Sequence, residues 1–354
     1  MESLNNQIDN SFEVVFIDSG SDKPCAHKVQ NITSQYTFCK YIYVNTQNLI
    51  WNKSYALNIG ALNSKGQIYL IADIDLIFES HFIERIKLLN FNSNFYNYTC
   101  YYLPKGYNFI FDNWSVISLK QYRNSGKAPG LLIVSKIHFL EINGYDEYYQ
   151  QWGIEDDDMV KRLKALGVLQ IYLDENKYIS LHQWHPENHG KKPSLWYLQM
   201  LNTCESNLST SKVQISFGTI LNETDRFNFF SSNNTKKIYE IFLPLYSSVT
   251  CFNEIVKVFF NISSNEVICI KHEQPKYPKK NGIKGWLISK IKQFIFRVLN
   301  LSNLNSVKLA ETYITTEALF DFMIYFIGIN RIHIIDYHLD YIPNNRFCIY
   351  LLKR

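Results

Sequence analysis

At Gln67-Ile68-Tyr69-Leu70-Ile71-Ala72-Asp73-Ile74-Asp75 the architecture of this chain is clearest. A mostly apolar run suited to a buried strand ends on two carboxylates. Taking an unpaired carboxylate out of water costs several kcal/mol, as a rough effective figure. A core strand does not end this way for packing alone. The pair calls for a cation, a proton or a substrate to hold, although turn-forming aspartates at a solvated strand end are the plainer reading. A second acidic cluster, Glu155-Asp156-Asp157-Asp158, follows Trp152-Gly153 and opens a helical pattern.

Outward from Gln67–Ala72, strand and helix patterns alternate. Phe12–Ile17 reads as a buried strand ending in Asp18-Ser19-Gly20-Ser21, and Phe38–Val44 as a second strand. Ser54–Ser64 and Ser80–Leu89 carry apolar residues at helical spacing. Thr99–Leu103, Leu131–Val134 and Leu169–Leu173 are further strand candidates. Asp156–Leu166 is a helix with Met159, Val160, Leu163 and Leu166 inward, closed by Gly167. Such alternation predicts an α/β fold, a mostly parallel sheet flanked by helices. In these sheets ligands bind beyond the carboxyl ends of strands, where Asp18, Asp73 and Asp75 fall. The Ser/Asn/Thr-rich stretch Glu205–Ser211 predicts a boundary, with one domain over 1–208 and an accessory α/β region over 209–354. Strands are expected there near Val213–Phe217 and Val267–Ile270.

Composition narrows the class. The chain has 354 residues, 46% of them apolar, which suits globular domains and not a disordered chain. A net charge of +4 is too mild to imply nucleic-acid binding. Seven scattered cysteines form no Cys-x-x-Cys pair, so free thiols in a reducing compartment are expected and structural zinc is not. Met1–Asn10 is polar, so no secretory signal is expected. Ala318–Ile329, interrupted by Asp321, is too short to span a bilayer. Aromatic residues reach 16%, enough to pack cores and also to floor sugar sites.

The two acidic clusters suggest different chemistry. Asp73 and Asp75, two apart on a strand, would point to one side and reach a divalent ion that also holds a diphosphate; manganese or magnesium suits oxygen ligands of this kind. Acids at a helix start complement the macrodipole by about 0.3–1 kcal/mol each. Four in a row exceed that need, so one of them is expected to be a general base whose proton affinity its neighbours raise. His182, His185 and His189 cluster after the Leu169–Leu173 strand, and the carboxylate pair favours one of them as a metal ligand over a solvated loop. Trp152 offers a flat face to a sugar ring, though a lone tryptophan is more often core.

Residues 1–200 resemble a GT-A (Rossmann-like) glycosyltransferase, near the family-2 polysaccharide synthases. The later part is similar to the β1,4-galactosyltransferase and chondroitin-polymerase branch. The resemblance rests on Phe16-Ile17-Asp18-Ser19-Gly20-Ser21, on Trp51-Asn52-Lys53-Ser54-Tyr55-Ala56-Leu57-Asn58-Ile59-Gly60-Ala61, on Ala72-Asp73-Ile74-Asp75, and most specifically on Asn143-Gly144-Tyr145-Asp146 running to Trp152-Gly153-Ile154-Glu155-Asp156-Asp157-Asp158. It implies that Asp18, Lys53, Asn58, Asp73 and Gly130 serve the donor nucleotide and sugar. Asp75, Asp73, His185 and, as runner-up, His182 would hold manganese or magnesium. Asp156 would deprotonate the acceptor hydroxyl, Glu155 would orient a sugar, and Trp152 and Asp157 would meet the acceptor.

The activity implied is inverting, metal-dependent transfer from a nucleotide-sugar, a UDP-hexose or UDP-N-acetylhexosamine, to a glycan or lipid-linked glycan in surface polysaccharide synthesis. An inactive GT-A-like module that binds glycans or proteins is the alternative. A sugar nucleotidyltransferase would need a Gly-rich, Lys-containing phosphate loop near the first strand, which is missing. Three departures stand out. Residues 1–7 look like the tail of the helix after the family's first strand, so that strand is expected to be lacking. Ser19 stands where many relatives carry a second aspartate, and Ile154 where the Trp-Gly-Gly-Glu-Asp form has its second glycine. Beyond the boundary, Lys271–Arg297 is basic, with apolar residues at helical spacing from Trp286. Such a helix either packs normally or lies on an anionic membrane surface. The expected location is cytoplasmic, peripheral on the inner membrane face.

Overall fold

The computed structural model describes residues 1–107, 122–151, 153–186, 195–206, 238–242, 248–273, 315–330, 333–342 and 346–354. The described residues fall into two compact units, one drawn from 1–47, 51–192 and 200–225, the other from 48–50, 193–199 and 226–354. The expected boundary near 205–212 lies largely on residues outside the described ones.

The first unit opens with a short helix, α1 (Glu2–Asn5), and a βαβ unit. Strand β1 (Val14–Ser19) runs parallel to β2 (Cys39–Val44), and α2 (Lys23–Thr33) crosses between them. The sequence reading passed over α2, yet Asp22 caps it by accepting from the Cys25 amide, with proline in the first turn. Helix α3 (Lys53–Leu62) starts where the Asn52 side chain accepts from the Tyr55 amide at 2.9 Å. Its Tyr55 and Ile59 pack on Ile42 and Val44, with Val15 and Ile17 alongside.

The remaining strands are β3 (Ile68–Leu70), β4 (Leu76–Phe78), β5 (Asn94–Asn97), β6 (Tyr101–Tyr102), β7 (Leu132–Ser135), β8 (Leu169–Tyr172) and β9 (Ser180–His182). They form two sheets, β3-β7-β5-β8 and β4-β9-β6. The α/β expectation holds, but the sheets are mixed. Pairs β5–β8 and β6–β9 are parallel, whereas β7 runs antiparallel to β3 and β5, and β4 antiparallel to β9. Periodicity reports burial and not direction. Every residue of β7 is buried, so its apolar run reads the same for either orientation.

Three helices complete the unit: α4 (Phe82–Ile86), α5 (Lys136–Glu141) and α6 (Glu155–Ala165). Met159, Val160 and Leu163 of α6 join Tyr69, Phe95, Leu132, Val134, Phe139 and Tyr145 in one core. The helix stops as its sequence predicts. Gly167 has φ of +91°, its amide donates to Lys164 O at 2.9 Å, and the Val168 amide donates to Leu163 O at 3.1 Å. These are the two bonds of a Schellman end. Asp158 serves structure: Arg162, one turn on, bonds its carboxylate at 2.6 Å and also donates to Ile142 O and Gly144 O. That fixes the approach of the 142–144 segment to α6.

The second unit is an α/β layer with sheet order β10 (Ile238–Phe242), β11 (Val267–Glu273), β13 (Arg346–Lys353), β12 (Ile334–Ile342). Helices α7 (Ser248–Asn261) and α8 (Thr316–Ile329) meet through Phe252 stacked on Phe322 at 4.0 Å and Phe259 edge-on to Phe326. The apolar stretch 318–329 is thus a buried helix, capped by Thr315. Lys271 lies on β11 and is bonded to Glu240. Residues 274–297 of the basic segment, and the strand expected at Val213–Phe217, lie outside the described residues. Among the described residues no helix is long and apolar enough to cross a membrane. The six cysteines whose side chains are described are free thiols.

Candidate active site

The Asp73–Asp75 segment is a turn joining β3 to β4, closed by the Leu76 amide donating to Asp73 O at 3.3 Å. The two aspartates are therefore presented by a turn and not, as the spacing suggested, by one face of a strand. Strand register does the rest. Leu76 of β4 faces His182 of β9, and the Gln183 amide donates to Asp75 O at 2.9 Å. This sets His182 Nε2 and His185 Nε2 each 3.3 Å from Asp75 Oδ2.

One carboxylate and two imidazoles thus converge, their ligand atoms all within 4.8 Å of one another. Asp75 Oδ1 is buried without a hydrogen-bond partner, a costly state that a cation would relieve. An oxygen and two imidazole nitrogens suit manganese or zinc. Both His182 and His185 stand in this trio, whereas one histidine was expected beside the carboxylates. Asp73 lies outside the trio. Its side chain is exposed, yet the protein packed behind it, together with Asp75 and Asp156, raises its proton affinity against the pull of Lys53.

The second cluster sits at the start of α6. Gln151, Gly153 and Ile154 all have positive φ (68°, 100° and 74°). A β-branched residue rarely adopts that conformation, so Ile154 occupies backbone that would suit the glycine of the family's form. The turn delivers Glu155 and Asp156 toward Lys53, at the first turn of α3. Lys53 Nζ lies 3.0 Å from Asp156 Oδ2 and 3.5 Å from Glu155 Oε1. Burial works against the ammonium charge, but Asp156, Asp73 and Glu155 outweigh it and hold the lysine above its ordinary range.

Glu155 is only 3% exposed, against 17% for the Asp156 side chain. Burial first, then the Asp156 charge, pushes its carboxyl up to about 7. Glu155 Oε2 and Asp156 Oδ1 are both buried without hydrogen-bond partners. Between the usual glutamate value near 4.5 and about 7, folded Glu155 keeps a proton that the unfolded chain has lost. Stability therefore falls as pH rises through that window. Glu155→Gln should be more stable than wild type by up to about 3 kcal/mol above pH 7, and equal to it near pH 4.5. Urea unfolding in chelator across this range checks the sign; a gain that does not grow with pH would refute it.

The other expected residues are placed as follows. Gly130 lies directly against Asp156: a Cβ there would stand 2.4 Å from Asp156 Oδ2. Asp18 ends β1 as expected, buried, with Tyr41 Oη donating to it at 2.8 Å and the Ser21 amide at 3.0 Å. Asn58 is wholly buried. It donates to Tyr145 O and Glu147 Oε1 and accepts from the Tyr145 amide, so it braces the segment before α6 and does not face a ligand. Asp157 is exposed on α6. Trp152 and His189 lie outside the described residues. The sequence reading missed Tyr102, whose ring packs on His182 at 4.9 Å, and Arg123, whose guanidinium lies 4.4 Å from the Tyr102 ring centre. Neither stands in a motif, so only the strand pairing reveals them.

Residues 1–128 match the model of glycosyl transferase family 2, and residues 115–184 match that of the N-terminal domain of galactosyltransferase. No curated protein matches the chain in sequence. Among solved structures, GalNAc-T7 with UDP, GalNAc and Mn2+ is 16% identical over 64% of this chain and 49% of its own, with a TM-score of 0.41. S. aureus TarS 1–349 with UDP-GlcNAc is 12% identical over 60% and 62%, with a TM-score of 0.45. The catalytic domain of Drosophila β1,4-galactosyltransferase 7 with xylobiose is 15% identical over 54% and 79%, with a TM-score of 0.35. The chain spans about half of GalNAc-T7 and about three-fifths of that TarS fragment. The two matched stretches together carry the site residues: Lys53, Asp73 and Asp75 fall in the family-2 glycosyltransferase match, and Glu155, Asp156 and His182 in the galactosyltransferase match.

Proposed function

We propose that the first unit is a metal-dependent, inverting GT-A glycosyltransferase. It would move a hexose or N-acetylhexosamine from a uridine diphosphate donor to a glycan hydroxyl in surface polysaccharide or lipid-linked oligosaccharide synthesis. The observation that carries this reading is the position of one short turn. Asp73–Asp75 meets the His182–His185 pair through Asp75, and feels the charges of Lys53 and Asp156 through Asp73. A metal-type trio and a paired-acid cluster therefore flank the same loop.

The roles follow from exposure and charge. Asp75, His182 and His185 would hold the metal, which when bound offsets charge on the departing diphosphate. Asp156 is the more exposed acid and takes the proton from the attacking acceptor hydroxyl at its carboxylate. Lys53 fixes the direction of that carboxylate. Glu155, buried behind it and 3.5 Å from Lys53 Nζ, orients the acceptor only indirectly, by steadying that lysine. Gly130 leaves room for the Asp156 carboxylate beside the donor sugar.

Calorimetric titration with UDP and UDP-sugars, with and without Mn2+, tests the reading. Wild type should bind UDP in a manganese-dependent way, and Asp75→Asn should lose at least about tenfold in affinity, near 1.4 kcal/mol. Absence of manganese-dependent nucleotide binding in wild type would overturn the donor site. An inactive binding module would then describe the unit better.

A further inference from the structure

We propose that Arg123 is a clamp for the diphosphate of the nucleotide donor, held ready on the Tyr102 ring beside the metal trio. The proposal rests on the donor reading above and assigns it a residue that no motif of the sequence contains.

The backbone places Arg123 firmly. The Tyr102 amide donates to Arg123 O at 2.9 Å, and Tyr101 and Asn124 form an antiparallel bridge. Cys100 is tied to Ser125 twice, its carbonyl accepting from the Ser125 amide at 2.8 Å and its amide donating to Ser125 Oγ at 3.0 Å. The 123–125 segment is thus stitched along β6. Tyr102 pairs in register with His182 of the parallel neighbour β9. The result is a row of side chains: the Arg123 guanidinium on Tyr102, Tyr102 on His182 at 4.9 Å, and His182 beside His185 at 5.2 Å.

Charge makes the row functional. Asp73 and Asp75 stand on the turn beside the trio, Asp156 and the buried Glu155 lie close to Lys53, and the Lys53 ammonium is committed to those last two acids. A diphosphate entering that field is repelled unless cations meet it, and the metal is only one of them. Arg123 is exposed and, among the described residues, has no acidic partner. The nearby acid is engaged elsewhere, since Asn124 Nδ2 donates to Glu175 Oε2 at 2.7 Å. A guanidinium carries paired N–H donors that match phosphate oxygens, and stacking on an aromatic face orders it before a ligand arrives.

The test is calorimetry on the full chain with Mn2+ alone, then with UDP and GDP in saturating Mn2+. Arg123→Ala should bind Mn2+ as wild type does and bind the diphosphate about 10- to 100-fold more weakly, as expected for losing a charge-assisted bond. Arg123→Lys, which keeps the charge and loses the fork, should fall between them. Unfolding temperatures of both variants should equal wild type, since a surface cation–π pair contributes little to stability. If wild type binds a diphosphate and Arg123→Ala binds it equally, Arg123 is only a surface stack and the donor reading stands. If Arg123→Ala also loses Mn2+, it acts by disturbing Tyr102 and His182, and the clamp is wrong. If wild type binds neither nucleotide, the donor reading and the clamp fall together.

Discussion

Asp156→Asn is expected to lower turnover by about 10²–10⁴-fold, the usual weight of a positioned general base. The amide has nearly the shape of the carboxylate but cannot take up the proton of an acceptor hydroxyl. It also meets Lys53 without a charge, although the native contact is 3.0 Å. Nucleotide binding with Mn2+ should change little, because the metal trio does not include Asp156. The measurement is the initial rate of nucleoside diphosphate release, with the sugar nucleotide that wild type binds and a glycan acceptor. Turnover within threefold of wild type would move the base to another group, and Glu155 would be the first to examine.

Gly130→Ala should cost about 10²-fold in turnover, a loss typical of shifting a reacting group by an ångström. The added methyl would stand 2.4 Å from Asp156 Oδ2 and 3.0 Å from its Cγ. A carboxylate at the end of a free side chain would swing aside at little cost. This one is held by Lys53, so relief of the clash breaks the ion pair or turns the base from the acceptor. Residues acting through one group are strongly non-additive. Gly130→Ala added to Asp156→Asn should therefore lose little beyond Asp156→Asn alone. Independent, multiplying losses would show that Gly130 matters for another reason, such as the donor wall.

The elements readable in the sequence are those with an uninterrupted signal. Strands β1 and β2, helix α3 and helix α6 with its Gly167 stop fall within two residues of their expected places. In the first unit, strands β4, β5 and β9 were not read; they have three or four residues each, too short for period-two alternation to stand out. Helix α2 was missed because its apolar face is thin, although its Asp22 cap and Pro24 were there to be read.

For the candidate site, residue chemistry singled out the clusters, and packing decides how their members are placed. Asn58 looks available for a ligand in the motif, but the fold turns it inward to brace Tyr145 and Glu147. Repulsion along Glu155–Asp158 announced a raised proton affinity in one acid. Burial raises Glu155 most, because this first residue of α6 faces the core, and burial with the Asp156 charge raises Asp157 as well.

The α/β class, the two acidic clusters and the histidine cluster are legible in the sequence. These depend on residue type and on spacing along the chain. Tertiary structure alone decided that both His182 and His185 meet Asp75, that Lys53 bridges the two acids, and that Arg123 stands on Tyr102. Such encounters are set by strand register and direction, through contacts between residues far apart in the chain that no local pattern encodes.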